Sequence, residues 1–172
     1  YETLLRSPDL EEKLNPFIAQ MSGERGGSFD HLFRRRLLDI NQKFRLTLCG
    51  ESFEEFHEMV LKFRIFRGRI PEQLLSPEEK EQARINLMAF QECNRILLNA
   101  GNLLAQEKLI IDYTDMLYLP HLWRQQPFNK FHFLFVDECQ DLSRSQFEIA
   151  TKYAKSDGRI LAVGDPYQSI YG

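Results

Sequence analysis

The chain has 172 residues, is 43% hydrophobic and 27% charged, and carries a net charge of −3, proportions typical of a soluble globular protein of one domain or one and a half. No apolar run approaches the roughly 18 residues of a membrane span. Three cysteines (Cys49, Cys93, Cys139) and four histidines (His31, His57, His121, His132) are scattered without CxxC spacing, which argues against a disulfide framework and a zinc site and makes a reduced, intracellular setting the default.

Residues 1 to 106 read as helical. Ser7-Pro8-Asp9 starts a helix with Pro in the first turn, expected to end near Gln20 before the loop 22–27. Ser28-Phe29-Asp30 caps a second, with Phe29, Leu32, Phe33, Leu37, Ile40 and Phe44 at helical spacing. Ser52-Phe-Glu-Glu55 is a capping box for a third, which Gly68 and Pro71 break. Ser76-Pro77-Glu78-Glu79 opens a longer helix, whose apolar stripe is expected through Ile85, Met88, Ala89, Ile96, Leu97, Leu104 and Leu109. From His31 to Ile70, nine Lys and Arg face five Asp and Glu. Such a cluster with interleaved Phe reads either as a nucleic-acid contact or as a solvated helix face.

The character changes after Glu107. Lys108-Leu-Ile-Ile111 is short, apolar and β-branched, and Asp112-Tyr-Thr-Asp115 caps a helix through Met116, Leu117, Leu119, Leu122 and Trp123. Pro120 predicts a kink there or two short helices, and Trp123 is expected in the core. Phe131–Val136 suits a central parallel strand covered on both faces. Ser143-Arg-Ser-Gln146 is a capping box for the next helix, which Ser156-Asp157-Gly158 should stop before a second buried strand, Arg159–Val163. Strand, helix and strand make a βαβ unit. Ligands bind outside the carboxyl ends of such strands, where Asp137-Glu138 and Gly164-Asp165-Gln168 both fall.

A carboxylate at a strand tip can hold Mg²⁺, and a second beside it can orient and deprotonate an attacking water. Alone, an apolar run ending in Asp-Glu is a weak signal, because most such pairs end a strand or cap a helix. The second string changes the odds. Asp137-Glu138-Cys139-Gln140-Asp141, followed by Gly164-Asp165-Pro-Tyr-Gln168-Ser169-Ile170-Tyr171-Gly172, resembles motifs II and III of the UvrD/Rep family of superfamily 1 ATP-dependent DNA helicases. Ile111–Leu117 resembles that family's Asp-aromatic-x-Asp-Leu-Leu segment. Together these segments cover 110–172.

The resemblance implies an α/β fold: part of a RecA-like P-loop NTPase domain with a parallel sheet (107–172, carrying motifs II and III), preceded by an all-helical inserted subdomain (1–106). It implies a cytoplasmic motor that couples Mg-ATP hydrolysis to single-stranded DNA translocation and duplex unwinding in DNA repair, replication or recombination. Asp137 would hold Mg²⁺. Glu138 would be the general base. Gln168 would sense the γ-phosphate of ATP, and Gln140 and Asp141 would couple the two motifs. Tyr171 would stack near single-stranded DNA, its plainer reading being a packed loop aromatic. Arg64 and Arg67 are the candidate DNA contacts of the basic segment. Asp112 and Asp115 read as caps and structural hydrogen-bonders.

Two departures from the family pattern stand out. Cys139 replaces an aromatic residue and reads as a small buried apolar side chain. No GxxxxGK[ST] occurs in the 172 residues, so no phosphate-cradling loop is present in them. Because Gly172 falls inside a motif, we expect a fragment of a longer helicase, inactive alone. The alternative is a non-enzymatic, helicase-like DNA- or protein-binding module. An unrelated Mg²⁺-dependent hydrolase would need further converging carboxylates, and no obvious set exists.

Overall fold

The computed structural model describes residues 1–21, 31–66 and 75–168. The cap at Ser28–Asp30, the loop 22–27, the breakers Gly68 and Pro71, and the candidate site residues Arg67 and Tyr171 lie outside the described residues. The chain separates into two compact units, Tyr1–Phe44 with Cys49–Asp112, and Arg45–Leu48 with Tyr113–Gly172.

The first unit is helical. A one-turn 3₁₀ helix at Leu4–Arg6 leads into α1 (Pro8–Ile18), with Pro8 in its first turn as expected. Leu10, Leu14 and Ile18 recur every four residues and are buried, so one stripe of α1 packs on α4. Helix α2 (His31–Thr47) buries Phe33, Leu37, Ile40 and Phe44. Helix α3 (Phe53–Lys62) begins where the Ser52 side chain accepts from the Glu55 N–H at 3.2 Å. Helix α4 (Pro77–Lys108) opens on the expected reciprocal box: Glu79 N donates to Ser76 Oγ at 3.2 Å and Ser76 N donates to Glu79 Oε2 at 2.7 Å.

The buried face of α4 differs from the expected stripe. Ala89 and Leu97 are buried, but Met88 and Leu109 are exposed, and the seam runs through Leu87, Phe90, Cys93, Asn94, Leu97 and Leu98. Partners from other helices set it. Phe33 stacks on Phe90 with centroids 5.0 Å apart, Phe66 meets the same ring at 5.0 Å, and Asn41 donates to Asn94 across 3.0 Å. Apolar spacing along a long helix allows several faces, and only the docked aromatics choose one. The Tyr1 ring lies against α4 at Gly101, so closely that a Cβ there would displace the ring.

The second unit holds α5 (Asp115–Leu122), β1 (Phe131–Val136), α6 (Arg144–Lys152) and β2 (Ala154–Ala162). Helix α5 is one helix with Pro120 inside it. Trp123 follows it as an exposed residue, not a core one; Tyr118 and Leu119 supply the buried side instead. At the start of α5, the Asp115 carboxylate receives Arg45 Nη1 at 2.8 Å, with both side chains 3% exposed. Helix α6 opens on the Ser143–Gln146 capping box.

Strands β1 and β2 pair in parallel, so the expected strand–helix–strand unit is present. Its details differ in two ways. Helix α6 ends at Lys152 and β2 already starts at Ala154, with Ser156-Asp157-Gly158 inside the strand. The register passes from Phe131↔Ala154 to Phe133↔Arg159, so the extra residues of β2 bulge out beside β1. Gly158 permits this, because a Cβ there would lie 3.0 Å from both Lys155 O and Phe131 O. Second, Phe131, Phe133 and Phe135 are 52–73% exposed. A strand covered on both faces needs a layer on each side, and the described residues do not cover these three. Among the described residues, no helix is long and apolar enough to cross a membrane.

Candidate nucleotide-hydrolysis site

The chain leaves β1 at Val136 and β2 at Ala162 side by side. Val163 N donates to Val136 O at 2.8 Å, and Cys139 N donates to Val163 O at 3.0 Å. The parallel ladder therefore continues one step past the strands and brings both predicted strings to one sheet edge.

Asp137 and Glu138 are both exposed at this edge. Glu138 sits in the left-handed region, at φ 52° and ψ 40°, which costs a non-glycine residue on the order of 1–3 kcal/mol. Its N–H is taken up by Asp137 Oδ1 at 3.0 Å. The turn then tightens into a 3₁₀ segment, Cys139–Asp141, closed by Asp141 N donating to Glu138 O at 3.0 Å. Asp141 is half-buried behind it.

Gln140 joins the two strings. Its Nε2 donates to Glu138 Oε2 at 2.6 Å, and its Oε1 accepts from Asp165 N at 3.0 Å. A carboxylate only accepts and a backbone N–H only donates, so these partners fix the amide's orientation. Gly164 makes the bridge possible. A Cβ on it would collide with Gln140 Oε1 and come within 2.8 Å of Cys139 Sγ. Cys139 is a free cysteine, half-buried rather than fully buried as expected.

Gln168 is reached through Asp165. Asp165 Oδ1 accepts from Tyr167 N at 2.9 Å, and Oδ2 accepts from Gln168 Nε2 at 2.9 Å. Gln168 N donates to Asp165 O at 3.0 Å, closing the 3₁₀ turn Pro166–Gln168. Gly164 and Asp165 are functional parts of this edge beyond the residues expected from the sequence. Asp165-Pro166, a capping residue before Pro at the first position of a turn, is the signal that points to the second.

The exposed carboxylate at the strand tip suits a magnesium ion. Mg²⁺ is held by one or two carboxylates, with waters and substrate phosphate completing its octahedron, and Asp137 is an exposed carboxylate at the strand tip. Among the described residues, no three His, Cys, Asp or Glu converge as an all-protein metal cage.

In the helical unit, basic and aromatic side chains form a separate surface. Lys43 Nζ lies 4.9 Å from the Phe63 ring centre and Lys62 Nζ 5.8 Å, while Arg36 sits 5.3 Å over Phe66. Arg64 follows, exposed and at φ 49°. Arg36 on the buried Phe66 has a packing role; Lys62 and Arg64 face solvent.

Comparison with known proteins places this edge in a family. The sequence pattern of the UvrD/REP helicase N-terminal domain matches residues 13–172. The chain is 38% identical over 69 residues to ATP-dependent DNA helicase Rep of Escherichia coli, covering 36% of this chain and 10% of that protein. It is 31% identical over 165 residues to one of the subunits of the ATP-dependent helicase/nuclease of Lactobacillus acidophilus, covering 80% of this chain and 13% of that protein. It is 30% identical over 106 residues to ATP-dependent DNA helicase PcrA of Leuconostoc citreum, covering 58% and 14%. The chain thus spans 10–14% of the length of these curated relatives. No solved structure matches it. With the matched pattern running through both strand ends and most of the helical unit, the chain belongs to the UvrD/REP helicase N-terminal domain family.

Proposed function

We propose that this chain is part of an ATP-dependent DNA helicase that couples Mg-ATP hydrolysis to translocation on single-stranded DNA and to duplex unwinding. In this reading 107–172 is part of a RecA-like P-loop domain, its two strings are motifs II and III, and 1–106 is a helical subdomain inserted ahead of them. The protein works in the cytoplasm, on DNA in repair, replication or recombination. The observation that carries the proposal is the Gln140 bridge, which ties the Glu138 carboxylate to the backbone that holds Gln168.

Each residue then has a task. Asp137 holds Mg²⁺, and the ion when bound neutralises phosphate charge. Glu138 accepts the proton of the attacking water, and its left-handed backbone and Gln140 contact aim the carboxylate. Gln168 senses the γ-phosphate of ATP. Gln140 and Asp141 couple the two strings. Tyr171 stacks against single-stranded DNA, and Arg64 and Arg67 with Lys62 contact duplex phosphates.

A Glu138→Gln substitution in the full-length protein tests this. The amide keeps the size of the side chain but cannot take the proton, so DNA-stimulated ATP turnover should fall by at least about a hundredfold while ATP binding survives. Normal turnover would sink the assignment. The alternative reading is a helicase-like DNA- or protein-binding module without catalysis. It predicts a wild-type full-length protein that binds DNA and lacks ATPase.

A further inference from the structure

The Gln168 amide is held by one corner. Its Nε2 sits 2.9 Å from Asp165 Oδ2, while the other oxygen of that carboxylate is engaged by Tyr167 N at 2.9 Å. A carboxylate accepts only, so the nitrogen corner of the amide must be the one that faces it. The far corner is then Oε1, an acceptor. Asp165 is itself pinned at its backbone, because its N–H donates to Gln140 at 3.0 Å and its carbonyl closes the turn on Gln168 N at 3.0 Å. The orientation of the Gln168 amide therefore depends on the chemistry of the Asp165 side chain, on a turn that is otherwise fixed.

We propose that Asp165 is a positioning residue that sets the polarity of Gln168, turning its carbonyl oxygen toward the reacting groups. An outward acceptor suits a partner that donates a hydrogen, such as the attacking water. An ionised phosphate oxygen has no hydrogen to offer it. One of the two Nε2 hydrogens is taken by Asp165, which leaves the other for a phosphate oxygen beside the outward Oε1. The acidic side chain thus keeps the acceptor end of the amide outermost. The inference rests on the proposed ATPase reading, and it concerns which end of the Gln168 amide does the work.

The experiment inverts the polarity and then restores it, in the full-length protein. Asp165→Asn keeps the Tyr167 contact through Oδ1 but turns Nδ2 toward residue 168. The Gln168 amide then reverses and presents its NH₂ outward. DNA-stimulated kcat should fall about tenfold or more, with the KM for ATP within about twofold. Gln168→Glu alone sets two carboxylates against each other and should be equally impaired. In the double variant Asp165→Asn with Gln168→Glu, the Asn Nδ2 donates to the Glu, whose other oxygen again faces outward as an acceptor. It should recover at least about fivefold over either single variant. A merely structural Asp165 gives no such recovery. Unchanged kcat in Asp165→Asn, or a double variant no better than the singles, overturns the proposal. A second readout is independent of turnover. In protein labelled with ¹⁵N at glutamine side chains, with Gln168 assigned by its loss in Gln168→Asn, Asp165→Ala should shift the Gln168 NH₂ resonance. An unmoved resonance overturns the proposal, whereas a shifted resonance in a protein without ATPase upholds the held amide and removes only the enzymatic reading.

Discussion

Removing Asp115 should strongly destabilise the second unit. The Asp115–Arg45 pair is 2.8 Å long and each side chain is 3% exposed, so water cannot replace a lost partner. Asp115→Ala takes this counter-charge away from a buried guanidinium, and breaking a buried pair from one side costs about 3–5 kcal/mol. Much of that cost is the desolvation of the remaining charge rather than the worth of the pair. Replacing both, as Arg45→Met with Asp115→Leu, should therefore lie within about 1–2 kcal/mol of wild type. The assay is urea unfolding of the 172-residue chain followed by tryptophan fluorescence. Trp123 is the single tryptophan and caps the C-terminus of α5, the helix that Asp115 begins. With a urea slope of about 2 kcal/mol/M, the single variant should lower the midpoint by roughly 1.5–2.5 M. A double variant as unstable as Asp115→Ala would refute the reasoning, because it would show that the attraction, not the stranded charge, carries the stability.

Gly164→Ala should push Gln140 off Asp165, press on Cys139 and lower DNA-stimulated ATPase about tenfold; wild-type turnover in that variant would argue against the bridge. Ser143→Ala removes the cap of α6 and should cost about 1 kcal/mol in the same fluorescence assay, a loss below about 0.3 kcal/mol showing that the cap does not matter there. Lys62→Ala and Arg64→Ala should each reduce the slope of log Kd for forked DNA against log salt by about 1, and an unchanged slope would mark that face as merely solvated. Burial, and secondarily the charge of Glu92, pushes the Cys93 thiol up from 9.0 to about 12. The unfolded thiol loses its proton above pH 9 while the folded one keeps it, so Cys93 should contribute stability that is full below pH 9 and falls between pH 9 and 12, at up to about 1.4 kcal/mol per pH unit. A Cys93→Ala variant should lose that part of the slope, and in the folded wild type Cys49 and Cys139 should react with iodoacetamide well before Cys93.

Much of the local order is legible in the sequence because its causes are local. Three capping sequences, at Ser52, Ser76 and Ser143, place the starts of α3, α4 and α6, since a side-chain oxygen and an N–H three residues on are neighbours whatever the rest of the chain does. The apolar runs ending in Asp137-Glu138 and Gly164-Asp165 give parallel neighbouring strands for the same reason: their residue types and the helix between them leave few other arrangements. The expected buried roles of Trp123 and of both faces of β1 do not follow from hydrophobicity. An apolar side chain is buried only where another layer meets it, and that layer is not encoded in the strand. The turn-forming residues Ser156-Asp157-Gly158 suggest a helix stop but serve a bulge equally well, and the pairing of β2 with β1 makes them a bulge.

Which chemistry can stand at the sheet edge follows from the chain alone, because the carboxylate, amide and glycine types at those two strand ends are set there. How these groups act on each other follows from the pairing of the two strands. Gln140 lies 25 residues from Asp165, yet accepts its N–H at 3.0 Å, a contact created by pairing β1 with β2 one step beyond their ends. Gly164 matters for the same reason, since the Gln140 side chain that its Cβ would displace arrives from the turn after β1. Spacing along a chain cannot contain a distance across it.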